Sequence, residues 1–357
     1  MSSKPRKIGI LTGGGDCPGL NAVIRAAVRT ATRDHDLEVI GIQLGFEGLM
    51  KKSVIPLTGE SIRGILPKGG TLLRTTNRGN PFEYPVNGRC EDRSQLVIDN
   101  IHELGIDGLI AIGGDGTLRI AQRLCDRGIP IVAVPKTIDN DLAATDFTFG
   151  FMTAVTVATE AVDRLHTTAE SHDRVMILEV MGRNAGWIAL YSGLAGGADI
   201  ILIPEIAYRP EAIVESIRSR SQEGSKFDII VVAEGAKRVG GEERYIDRHA
   251  QRLGGIAYQV AEEIAREIEL EIRVTVLGHT QRGGSPIAFD RLLATRFGKA
   301  AADLIAGGEC GKMVALRGNE IVSVPIIDAV ANPKYVDPNG EMVATARSLG
   351  VSFGDGR

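Results

Sequence analysis

The sequence predicts an α/β protein of two domains, each a mainly parallel sheet covered by helices on both faces. Three observations carry that expectation. Short β-branched apolar runs alternate with amphipathic stretches of helical period, the pattern of strands buried between helices. Glycine-rich turns join several of the runs to the stretches that follow them. At 357 residues the chain is also too long for a single core of ordinary size.

The first series comprises a strand at residues 7–11, a turn at 12–21, a helix at 22–33 and a second strand at 37–42. The run 109–112 then enters the turn 113–117 and a helix at 118–127, and the run 131–134 enters the turn 135–141. A second series starts near residue 151 with a helix over 151–165. Strands follow at 174–180, 200–204, 228–233 and 273–277, with helices at 187–194, 210–221 and 255–268. Residues 77–95 and 235–247 lack clean periodicity and are expected to include surface loops. No low-complexity linker separates the series, so two closely packed domains with the site in the cleft between them are expected. Ligands of such sheets gather at the carboxyl ends of the strands, where the turns starting at Thr12, Gly113 and Pro135 fall.

Composition narrows the function classes. A hydrophobic fraction of 43% with only 4% aromatics implies a core of Val, Ile, Leu and Ala. The net charge of −4 offers no broad basic footprint, which argues against nucleic acid as a partner. Four scattered cysteines without CxxC spacing point to a reduced compartment and no structural zinc. The basic N-terminal segment precedes an apolar run of only four residues, and no run reaches membrane-spanning length. The expectation is a soluble, cytoplasmic protein with no membrane partner.

Three turns carry chemistry. Thr12-Gly13-Gly14-Gly15-Asp16-Cys17-Pro18-Gly19-Leu20-Asn21 joins a strand to a helix, where bare backbone N–H groups and a helix N-terminus can meet phosphate oxygens. It fits neither GxxxxGK[ST] nor a full GxGxxG, and a plain tight turn would read the same. Gly113-Gly114-Asp115-Gly116-Thr117 sets a carboxylate among glycines, where a metal and a polyphosphate can approach. Magnesium uses few carboxylates and keeps waters, so Asp115 is a candidate ligand; the plainer alternative is a helix cap. GGDGT also occurs in NAD and lipid kinases, so it indicates phosphoryl transfer without naming the acceptor. Pro135-Lys136-Thr137-Ile138-Asp139-Asn140-Asp141 is the most specific. Its two carboxylates beside a lysine suit a base on the attacking hydroxyl and a group near the metal.

GGGDCPGLN, GGDGT, PKTIDND, MGRNAGW and LGHTQRGGSP occur in this order between residues 13 and 286, and together they resemble the phosphofructokinase family. The resemblance implies two Rossmann-like three-layer α/β/α domains. The larger, donor-binding one would take residues 1–150 plus about 281–331, and the smaller, sugar-phosphate-binding one 151–280 plus about 332–357. It implies transfer of a phosphoryl group from ATP to the 1-hydroxyl of fructose 6-phosphate, with Mg²⁺ as cofactor. Gly15, Arg78, Gly114, Asp115, Gly116 and Thr117 resemble the donor site, with Asp115 as the metal ligand. Asp139 resembles the base and Asp141 the supporting acid. Lys136, Gly116 and Arg183 would act at the transferring phosphates. Thr137, Ile138, Met181, Gly182, Arg183 and Glu234 resemble sugar contacts.

Arg174, Arg273, His279 and Arg282 resemble the pocket for the 6-phosphate, whose dianion suits guanidinium forks. In the family the first two serve a neighbouring subunit's site, which implies a homo-oligomer, dimer or tetramer. Donor choice rests on Gly116, which matches ATP users, and Lys136, which matches pyrophosphate users and one lineage of ATP users. ATP is expected, with pyrophosphate as the alternative. After Gly69-Gly70-Thr71, Arg78 is the chosen phosphate contact over Arg74, and Phe46 falls where the family stacks a tyrosine near the donor. Arg25 and Arg29, four apart on one helix, read slightly better as an ordinary solvated face than as part of an effector pocket, whose other positions, Gly59, His166, Glu223 and Ser225, leave it incomplete. An NAD or lipid kinase would lack PKTIDND, and a silent regulatory subunit would lack Asp115 or Asp139.

Overall fold

The computed structural model describes residues 5–247 and 252–357. The start of the basic N-terminal segment, residues 1–4, lies outside the described residues. The chain divides into two compact units. One comprises Met1–Ile138, Leu142–Met152 and Arg282–Pro333; the other comprises Asp139–Asp141, Thr153–Gln281 and Lys334–Arg357. The PKTIDND segment therefore contributes its first four residues to one unit and Asp139–Asp141 to the other.

In the first unit the strands Ile131–Thr137, Gly108–Gly113, Lys7–Thr12 and Glu38–Ile42 lie side by side in that order, all parallel. Lys312–Arg317 extends the sheet in parallel beyond Ile131–Thr137, and Glu320–Pro325 and Val54–Pro56 close the two edges antiparallel. The chain leaves Lys7–Thr12 toward one edge and returns to its other side at Gly108–Gly113. That reversal makes a topological switch point between these two strands, the usual ligand crevice of an open α/β sheet. Alternate side chains of the strands, Leu109 and Ala111 among them, pack with Val97, Ile101 and Leu124 of two helices. Elsewhere Leu20–Asp34 and Ala288–Ala306 pack together, so closely that a side chain at Gly298 would strike the Val23 carbonyl.

The second unit holds a four-stranded parallel sheet in the order Ile200–Leu202, Asp228–Ala233, Arg174–Val180, Glu271–Val276. Its strands are rich in Ile and Val, each fully buried aliphatic chain stabilising by roughly 1.5–3 kcal/mol. The helix Pro210–Gln222 starts on a proline, which tolerates the first helical turn because its missing N–H would have no partner there.

Within residues 77–95, Tyr84–Val86 and Arg89–Glu91 form a short antiparallel hairpin among the loops. Its turn is Asn87-Gly88, both at positive φ, and Asn-Gly is a hairpin signal that the broken alternation around it obscures. Phe46 does not face a donor; it is buried in the core beside Leu11, Leu49 and Phe82. Among the described residues, no helix is long and apolar enough to cross a membrane.

Candidate active site

In the first unit the turn after Lys7–Thr12 is knitted to two neighbours. The Gly13 N–H donates to the Ile112 carbonyl at 2.9 Å, and a Cβ at Gly13 would lie 2.6 Å from Thr117 Oγ1. Glycine is required there because Thr117 is itself buried under the turn. The Thr75 hydroxyl donates to the Gly14 carbonyl at 2.6 Å, and the Gly14 N–H donates to the Thr76 carbonyl at 3.3 Å. The segment bearing Arg74 and Arg78 is thereby fastened to the turn, and both arginines are exposed.

Two cations reach the same turn. The buried Lys136 donates from Nζ to the Gly15 carbonyl. Arg282 donates from Nη1 to the Asp16 carbonyl at 3.3 Å and lies 3.0 Å from where a Gly15 Cβ would stand. A bare backbone with two positive side chains against it is a field suited to phosphate. Cys17 is no nucleophile, since complete burial pushes its thiol up to about 12.

Asp115 begins the helix Asp115–Cys125, with Gly114 in the cap position. Its carboxylate does not stand free: Oδ2 accepts the Arg119 Nε–H at 2.9 Å, and the side chain is 46% exposed. Around Gly116 a Cβ would meet nothing within 4 Å, so the space at the residue after Asp115 is open. Among the described residues no group of three or more His, Cys, Asp or Glu could hold a metal. A half-exposed carboxylate with open space at the next residue fits a magnesium ion that keeps waters and takes phosphate oxygens, and does not fit a closed protein cage.

Thr137 and Ile138 are buried at the end of their strand. In the second unit Asp139 is 5% exposed, and Asn140 is buried at φ +51°. The loop after Arg174–Val180 carries Met181, Gly182 and Arg183, the last two at φ +140° and +50°. Three bonds hold this loop. The Met181 N–H donates to Gln281 Oε1 at 2.8 Å, and the N–H groups of Gly182 and Arg183 donate to Glu234 Oε1 at 3.3 and 3.0 Å. Gly235 admits the Arg183 carbonyl, which any side chain there would strike. Burial pushes the Glu234 carboxyl up to about 7, opposed by the Arg183 N–H bond and assisted by the nearby Asp139.

The expected 6-phosphate residues separate into two groups. Arg174 and Arg273, on paired strands, both bond to Glu271, one guanidinium to each carboxylate oxygen. His279 lies exposed on the 3₁₀ turn Gly278–Arg282, while Arg282 at the end of that turn contacts Asp16. Glu271 was missed, because the strand read at 273–277 starts two residues late; its strand-face spacing from Arg273 is the signal that could have found it. Lys334 was not legible: no motif includes it, yet it bonds to both Asn140 and Asp141.

A parallel sheet whose switch point bares glycine turns to two cations is the architecture of an α/β phosphotransferase. Residues 7–305 match the phosphofructokinase family. A Chloroflexus aurantiacus protein named ATP-dependent 6-phosphofructokinase is 55% identical over 99% of this chain and 99% of its own. A Streptomyces coelicolor protein named pyrophosphate–fructose 6-phosphate 1-phosphotransferase is 51% identical over 98% of this chain and 100% of its own. Among solved structures, phosphofructokinase from Saccharomyces cerevisiae is 32% identical with a TM-score of 0.79, over 98% of this chain and 48% of that one. The chain thus spans about half the length of the yeast chain. It belongs to the phosphofructokinase family.

Proposed function

We propose that the protein is an ATP-dependent 6-phosphofructokinase, and the observation that carries the choice of donor is the open space at Gly116. A carboxylate at that position would occupy room that an ATP α-phosphate needs and repel it. The donor phosphates lie along Gly15 and Gly114–Thr117, with Lys136 and Arg78 as cations near the transferring group. Asp115 would hold Mg²⁺, letting go of Arg119 or sharing its carboxylate. When bound, that ion neutralises charge on the donor phosphates.

Asp139 accepts the proton of the fructose 6-phosphate 1-hydroxyl. The freed oxygen attacks the γ-phosphorus, the bond to the β-γ bridging oxygen breaks, and ADP leaves with that electron pair. Lys136 and Arg183 stabilise the charge on the moving group, and Asp141 supports the site near the metal. Glu234, with Thr137, Ile138, Met181 and Gly182, holds the sugar. His279 and Arg282 hold the 6-phosphate, completed by Arg174 and Arg273 of a neighbouring copy, which makes the working enzyme a homo-oligomer.

Pyrophosphate is the second reading, favoured by Lys136 and by the Streptomyces relative's name. Both readings share the same base. Asp139→Asn should lower kcat by about 10²–10⁴-fold while fructose 6-phosphate still binds. Near-normal formation of fructose 1,6-bisphosphate by that variant would remove Asp139 from the mechanism.

A further inference from the structure

Two hydrogen bonds of Lys334 reach the segment that carries Asp139, and a third holds Lys334 itself. Its main-chain N–H donates to the Asp141 carbonyl at 2.8 Å, and its ammonium donates to Asn140 Oδ1 at 3.1 Å. Its own carbonyl accepts the Trp187 indole N–H at 2.8 Å, and its ammonium stands 5.8 Å from the centre of that ring. Lys334 is thus fixed from behind by a helix-borne indole and presses forward on the two residues that follow Asp139. Asn140 is 2% exposed and left-handed at φ +51°, a conformation that asparagine adopts more readily than most non-glycine residues. That φ sets the direction in which the chain runs on from Asp139.

We infer that Lys334 is a positioning residue for phosphoryl transfer, clamping Asn140 and Asp141 so that the Asp139 carboxylate is held on the reacting hydroxyl. The inference rests on the reading of Asp139 as the base. An ammonium suits the task, because a charge-assisted bond to a buried amide oxygen is stronger than a neutral one. A mere brace for the C-terminal segment would need only the main-chain bonds.

Lys334→Met separates the two roles, since it keeps the main-chain bonds and the stem and removes only the ammonium. It should lower kcat by about 10–100-fold, the scale of a small misplacement of a reacting group, with KM for both substrates within about threefold. Asn140→Gly, which accepts the positive φ and removes Oδ1, should lower kcat similarly, and the double variant should be no worse than the poorer single one. Wild-type kcat in Lys334→Met, a fall confined to thermal stability, or additive effects in the double variant would each overturn the positioning role. If Lys334→Met does not fold, full kcat in Asn140→Gly overturns it alone. Asp139→Asn runs beside them: if it is inactive while Lys334→Met turns over normally, only the inference about Lys334 fails. If Asp139→Asn itself keeps full turnover, the reading of the base fails first.

Discussion

The Glu234 carboxylate accepts the Arg183 backbone N–H at 3.0 Å, joining the ends of two neighbouring strands through a residue at φ +50°. A group read as a sugar ligand therefore also fixes the loop read as the sugar's other wall. Burial raises its carboxyl from 4.5 to about 7.

The sign follows from that shift. The fold favours the neutral carboxyl, so this contribution to stability is full below pH 4.5 and is lost as pH rises through about 7. Acceptor capacity toward sugar hydroxyls grows over the same interval. KM for fructose 6-phosphate should accordingly rise as pH falls below about 7. Glu234→Gln should lose that dependence, and the ratio of the two profiles cancels the titration of the substrate's phosphate. Parallel profiles for the two proteins would dissociate Glu234 from sugar binding.

Arg273→Ala and His279→Ala should weaken fructose 6-phosphate binding by about 1.5–3 kcal/mol each and leave donor KM nearly unchanged. Mixing Arg273→Ala with Asp139→Ala chains tests the shared site, because one class of hybrid site would carry both intact groups. Hybrids no more active than either parent would count against arginines donated by a neighbour.

Gly116→Asp should damage use of ATP more than use of pyrophosphate, which has no α-phosphate to repel. Like charges about 4 Å apart at an effective dielectric near 20 repel by roughly 4 kcal/mol before any counterion intervenes. Lys136→Gly should lower turnover without creating a pyrophosphate enzyme. Equal losses with both donors in Gly116→Asp would show that this position does not choose between them.

The glycine turns were legible because their function is written in what is missing. Thr117 under Gly13 demands a residue without a side chain. Strands such as Asp228–Ala233 were legible from uninterrupted aliphatic runs buried on both faces. Long-range partners were not. Arg174 meets Glu271 across a strand pair 97 residues apart, and Lys334 reaches Asn140 across 194. No periodicity or local spacing encodes such meetings, which follow from strand order and chain return. Phe46 misled for a different reason: a matched position carries a family role only while its ring faces the ligand, and here it faces the core.

The most direct test is turnover of fructose 6-phosphate by the unmodified protein with Mg²⁺ and either ATP or pyrophosphate, assayed side by side for fructose 1,6-bisphosphate. The open space at Gly116 predicts product with ATP, at a kcat/KM well above that with pyrophosphate. Product with pyrophosphate and none with ATP would contradict the choice of donor, and no product with either would contradict the account as a whole.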